Sequence, residues 1–180
     1  MHYSLIRPFS IENGPGVRVS LFVSGCRNHC PGCFQKETWN FNFGNEYIHE
    51  TEDAIVKMVS HERVDGITFL GGEPTEPENQ PELLKLAKRL KQEFPKKTIW
   101  MYTGCILERD LISGGKNHVE GITDKLLSEI DVLVDGPFIE AEKDLSLVYR
   151  GSRNQRIIDM HKYKKTGTIS QLYSVNSMPS

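Results

Sequence analysis

Val17-Arg18-Val19-Ser20-Leu21-Phe22-Val23-Ser24-Gly25-Cys26-Arg27-Asn28-His29-Cys30-Pro31-Gly32-Cys33 is the stretch on which the reading of this chain turns. Its first seven residues alternate and then become continuously apolar, the pattern of a strand that enters the interior of a sheet. The predicted strand runs straight into a polar loop that carries three cysteines, separated by three and then two residues. Three thiols at that spacing can point inward at one inorganic centre. A four-iron cube offers four iron corners, so three cysteines can take three of them and leave the last open for a small-molecule ligand. Pro31 and Gly32 suit a loop that curls around such a centre, since proline fixes one φ and glycine gives the backbone room. A lone cysteine is more often a small buried hydrophobe, but three in one short polar loop point to metal binding. A zinc site stays open as an alternative, with Cys105 or His29 as a fourth ligand, although the usual zinc pattern is two separated pairs. A disulfide within so tight a loop is geometrically poor.

The same strand-then-loop pattern recurs along the chain. Residues 66–70 read as a buried strand that ends in Gly71-Gly72-Glu73-Pro74, residues 98–102 as a strand that ends in Thr103-Gly104-Cys105, and residues 132–134 as one that delivers Asp135 and Gly136-Pro137. Residues 156–159 can form a short last strand. Between them, Ala54, Ile55, Met58 and Val59 fall at helical spacing after Thr51. Pro81 opens a second helix with Leu83, Leu84, Leu86, Ala87 and Leu90 on its apolar face, and Phe94-Pro95 ends it. Residues 106–112 and 123–130 read as shorter helical pieces. Alternation of strands and helices implies parallel β/α units with right-handed crossovers. At 180 residues the chain falls short of the ~250 typical of a closed eightfold barrel. The expected fold is therefore α/β, an open partial (β/α) barrel of five or six mostly parallel strands. The cysteine loop, the glycine-glutamate-proline loop, Thr103 and Asp135 all lie just past strand carboxyl ends, where such folds build their sites. Trp100 and Tyr102 alternate with Ile99 and Met101, so one face of that strand is expected in the core and the other along a cavity.

Length and composition bound the rest. Apolar content suffices for one core; residues 1–160 are expected to form one domain and residues 161–180, which lose apolar periodicity, a tail. A net charge of −2 gives no general basic footprint, so nucleic acid is not expected as a partner. No apolar run approaches the ~18 residues of a membrane span, and Met1-His2-Tyr3-Ser4-Leu5 lacks the regions of a secretory signal. The expectation is a cytoplasmic protein without a membrane partner, whose four cysteines are ligands or free thiols in a reducing compartment.

The cysteine spacing resembles the signature of the radical S-adenosylmethionine enzymes. The flanking residues 13–25, together with Gly71-Gly72-Glu73-Pro74, Tyr102-Thr103-Gly104, residues 131–138 and residues 150–159, are similar in order and spacing to one branch of them, the activating proteins of anaerobic ribonucleoside-triphosphate reductase. The resemblance covers about residues 1–160. Gly32 stands where many members of the wider superfamily carry an aromatic; the activating branch accepts glycine there. The resemblance implies a [4Fe-4S] cluster on Cys26, Cys30 and Cys33. It implies S-adenosyl-L-methionine on the open iron, with Gly32, Phe34, Gly71, Gly72, Glu73, Pro74, Thr103 and Asp135 as cofactor-binding residues. It further implies reductive cleavage of that cofactor to a 5′-deoxyadenosyl radical, a glycyl radical installed on the large subunit of the reductase, and an external one-electron donor such as flavodoxin. Activation of another glycyl-radical enzyme, or a non-catalytic zinc-binding module, are the alternatives. Within the resembling segment Arg150, Arg153 and Asn154 form a polar group that can meet a carboxylate or a partner surface.

Overall fold

The computed structural model describes residues 1–173. Their chain order is β1 (His2–Ser10), β2 (Arg18–Val23), β3 (Asn45–Glu46), α1 (His49–Val59), β4 (Gly66–Gly71), α2 (Gln80–Glu93), β5 (Thr98–Tyr102), α3 (Leu107–Asp110), α4 (Thr123–Glu129), β6 (Val132–Asp135), β7 (Arg156–Asp159) and α5 (Met160–Thr166), with short 3-10 turns at Lys36–Trp39 and Glu140–Glu142. The strands form one seven-stranded sheet in the order β3-β1-β2-β4-β5-β6-β7. Neighbours β2/β4, β4/β5 and β5/β6 are parallel, and β1 and β7 flank this central block antiparallel.

Apolar residues on alternate positions decide which face the helices cover. Val19, Leu21 and Val23 of β2, Ile67 and Phe69 of β4, Ile99 and Met101 of β5 and Leu133 of β6 pack with Ile55, Val56 and Val59 of α1, Leu83, Leu86, Ala87 and Leu90 of α2, and Leu126 and Leu127 of α4. Each fully buried leucine among them contributes about 1.5–3 kcal/mol relative to exposure. The opposite face has a smaller cluster of Trp100, Val132, Val134 and Ile157, against which Tyr102 and Tyr149 pack. The alternation along residues 99–102 is therefore realised, with Ile99 and Met101 in the core and Tyr102 on a cavity wall.

The sheet departs from the expected five or six strands at its amino-terminal edge. β1 pairs antiparallel with β2 and, at His2 and Tyr3, with β3. Its sequence hides it: Pro8 cannot donate to a ladder, and the pairing with β2 shifts register between Tyr3 and Leu5 and again between Arg7 and Ser10. β7 is present where expected but runs antiparallel, because the 20-residue connection from β6 returns it beside its neighbour without a helical crossover. The segment read as a tail, 161–180, opens inside α5. Asp159 caps that helix by accepting from Lys162 N at 3.0 Å, and Gln171 bridges back to Ile158. Residues 174–180 lie outside the described part.

Candidate metal centre

Four strand ends converge on one cavity of about 490 Å³, whose wall includes Cys26, Cys30, Cys33, Phe34, Gly71, Gly72, Glu73 and Thr103. Of the other predicted site residues, Gly32, Pro74 and Asp135 do not line it.

Cys30 to Cys33 is a β-turn: the Cys33 N–H donates to the Cys30 carbonyl at 3.1 Å, with Pro31 second and Gly32 third. Gly32 has φ +74°, the left-handed value that a type II turn demands at this position. A Cβ there would also stand 2.7 Å from the Glu140 Cδ. Steric demand in this turn thus explains the glycine.

The loop is held from three sides. The Glu76 carboxylate, buried, accepts from the Arg27 N–H at 2.7 Å and pairs with its guanidinium; Glu78 pairs with the same guanidinium at 2.6 Å, and the group lies over the Phe41 ring at 4.3 Å. The Asn28 amide donates to Glu73 Oε2 at 2.8 Å. His29, at φ +46°, stacks on Trp39 with centroids 4.4 Å apart. Nothing in the sequence marks Arg27, Asn28 and Glu76 for these roles beyond their nearness to the two motifs.

All four thiols are free. Burial pushes the Cys26 thiol up to about 11 and raises that of Cys30, so ligation must displace protons that the bare loop retains. Among the described residues no three His, Cys, Asp or Glu side chains converge as a single-ion site. Three cysteines that line one cavity suit ligation of separate iron corners. The two residues considered as a fourth zinc ligand do not join them: Cys105 is fully buried behind the wall, its sulfur 3.4 Å from Thr75 Oγ1, and neither it nor His29 lines the cavity. The donor set fits an iron–sulfur cluster with one corner open.

Glu73 anchors the wall. Its Oε1 accepts from Thr75 N (3.0 Å), Thr75 Oγ1 (2.8 Å) and Thr103 Oγ1 (2.7 Å), and its Oε2 from Gly104 N (2.8 Å) and Asn28. Thr103 thereby serves the Glu73 carboxylate as well as the cavity wall. Asp135 is fully buried, accepts from Leu107 N at 2.9 Å and pairs with Arg156, which also pairs with Glu108. Its carboxylate braces the β6 end against α3 and β7. The polar group at 150–154 divides. Arg150 is buried on the cavity wall with burial lowering its pKa, Arg153 is ion-paired to Asp144 at 2.9 Å on the surface, and the Asn154 amide donates to Pro137 O at 2.8 Å.

Comparison with known proteins gives this site its class. The family described as a 4Fe-4S single cluster domain matches residues 12–158, which places the protein among 4Fe-4S cluster proteins. Curated relatives sharpen that. An anaerobic ribonucleoside-triphosphate reductase-activating protein of Escherichia coli strain K12 is 42% identical over 157 residues, covering 86% of this chain and 96% of its own. Its counterparts in Vibrio cholerae and in Enterobacteria phage T4 are 40% and 35% identical, covering 87% of this chain and 97% and 93% of theirs. The chain belongs to the family of anaerobic ribonucleoside-triphosphate reductase-activating proteins.

Proposed function

We propose that this protein activates an anaerobic ribonucleoside-triphosphate reductase by installing a glycyl radical on the reductase's large subunit. The observation that carries the reading is the meeting of three free cysteines with the Gly71–Gly72–Glu73 loop on one cavity wall, in a chain of this family. Cys26, Cys30 and Cys33 would hold the cluster, and S-adenosyl-L-methionine would bind beside it. When both are bound, they supply one-electron cleavage of the sulfonium to methionine and a 5′-deoxyadenosyl radical, which takes a hydrogen atom from the target glycine.

The chain's own residues supply position and dryness. Gly71 and Gly72 allow the methionyl end to approach backbone closely, and Pro74, buried just behind them, stiffens the loop. Thr103 and Glu73 keep the β4 and β5 ends in register with the cysteine loop. Phe34, 89% exposed at the cavity rim, is suited to cover the cofactor from solvent. Asp135 would act from beneath, by fixing Gly136, which does line the cavity. The sheet, with helices on one face and the cavity beside the other, is read as the open partial barrel of the radical S-adenosylmethionine type, and residues 1–160 as the activase domain. An external donor such as flavodoxin would deliver the electron. No nucleic acid or membrane enters the reading; no helix among the described residues is long and apolar enough to cross a membrane, and a reducing cytoplasm suits the free thiols.

The test is to mix the reconstituted, reduced protein with S-adenosyl-L-methionine and an anaerobic reductase subunit without oxygen. A glycyl doublet is expected by paramagnetic resonance, and none with Cys26→Ala, Cys30→Ala or Cys33→Ala, whereas Cys105→Ala keeps its cluster. Absence of the doublet with an intact, reducible cluster, together with cofactor cleavage driven by a small metabolite alone, would overturn the reading.

A further inference from the structure

Glu73 is 1% exposed, and all five groups that donate to its carboxylate are neutral. Its neighbours Glu76 and Glu78 are each paired with Arg27; among the described residues Glu73 has no such counter-charge. The donors nevertheless specify an anion. Both oxygens face an N–H that cannot accept a hydrogen bond, Oε2 meeting the Gly104 and Asn28 nitrogens and Oε1 the Thr75 nitrogen. Burial raises the proton affinity of the group, and the Thr103, Thr75 and Gly104 donors oppose it. The carboxylate shares the cavity wall with the cysteines, and after burial its charge is among the influences that push up both the Cys26 and Cys30 thiols.

We propose that Glu73 acts on the metal centre through its charge: an unneutralised buried carboxylate that lowers the reduction potential of a cluster held by Cys26, Cys30 and Cys33. The proposal rests on the reading that these cysteines hold the cluster. Adding an electron beside a fixed negative charge costs energy that the low dielectric of the wall does not screen away, and net charge near a cluster is one of the terms that set its potential. The low potential in turn makes the reduced cluster a strong enough one-electron donor to a sulfonium. On this account the glutamate of the Gly71–Pro74 loop is held by five protein donors for an electrostatic purpose, and the methionyl ammonium is left to backbone carbonyls.

Anaerobically reconstituted wild type, Glu73→Gln and Asn28→Lys are compared by iron and sulfide content and by a redox titration followed by paramagnetic resonance. Glu73→Gln removes the charge; its amide oxygen can accept from Gly104 and Asn28 while its NH₂ donates to the threonine hydroxyls and leaves the Thr75 N–H unpaired, so a urea titration first establishes that the variant is folded. Asn28→Lys sets a cation against the retained carboxylate. Both variants are expected to take up the cluster and to show a midpoint more positive than wild type. An unchanged or more negative midpoint in a loaded Glu73→Gln overturns the proposal. So does failure of both folded variants to hold a cluster that the wild type holds, since the charge would then serve assembly alone. If wild type itself binds no cluster, it is the underlying assignment of the cysteines that falls.

Discussion

At Gly72 a hydrogen atom stands where any other residue would bring a side chain into the cysteine loop. A Cβ built there lies 2.6 Å from the Gly25 carbonyl oxygen and 3.0 Å from that of Thr38, and the Gly25 carbonyl already accepts from Glu73 N at 2.8 Å. Read from sequence, this glycine serves close approach of a cofactor; the structure adds that it also serves close approach of the chain to itself. Gly72→Val is therefore expected to displace the cysteine loop, cost about 1–3 kcal/mol as overpacking does, and lower cluster content together with cofactor affinity. A urea midpoint and a cluster absorbance that both match wild type, with cofactor affinity alone reduced, would contradict this. The residues that carry the chemistry were legible because cysteine and glycine mean something at fixed spacing. Asn28, Arg27 and Glu76 were not, since an amide or an ion pair has no pattern until its partner, about 50 positions away, is known.

Among the elements, β2 shows how a strand can break the rule of its own pattern. Arg18 sits at its start with no exposed surface, where alternation alone suggests a polar side chain facing water. Its guanidinium donates to Thr68 Oγ1 (2.8 Å), Ile67 O (2.7 Å), Thr98 Oγ1 (2.9 Å) and Thr98 O (2.9 Å), so it ties β2 to β4 and β5, and it stacks 5.6 Å from the Trp100 ring. Burial lowers its pKa to about 10, still charged at neutral pH. Arg18→Ala leaves the Ile67 and Thr98 carbonyls without their short-range donor, at about 1–3 kcal/mol each, and frees the weaker contact to Pro15 O, so a loss of about 2–6 kcal/mol in unfolding free energy is expected from urea titration. A variant within about 0.5 kcal/mol of wild type would show that water replaces the guanidinium. Helices α1 and α2 were readable from periodicity because their apolar stripes are wide. β1 was not, because Pro8 and two register shifts erase the strand signal.

For the whole molecule, the decisive asymmetry is that helices cover one face of the sheet while a cavity opens beside the other. On the proposed function, a radical formed in that cavity must be kept from water. The partner that brings the target glycine would then be the natural cover, substrate and lid together. With a reductase subunit deuterated at its glycines, the label is expected in 5′-deoxyadenosine; product free of label, formed at the same rate with or without the subunit, would rule out this direct transfer. The positions of the chemistry were set locally: strand, loop and cysteine spacing are short-range features, and a strand's carboxyl end can be read from a few residues of alternation and a glycine. So the sequence by itself determined the α/β class, the parallel block β2, β4, β5 and β6, and the loops that meet at its edge. Only the tertiary structure decided that Glu73 is held by donors from three loops, that Asp135 turns to Arg156, and that β1 and β7 close the flanks antiparallel. Those outcomes depend largely on pairings between residues about 20 to 45 positions apart, which burial and unmet hydrogen bonds select once the sheet has brought them together.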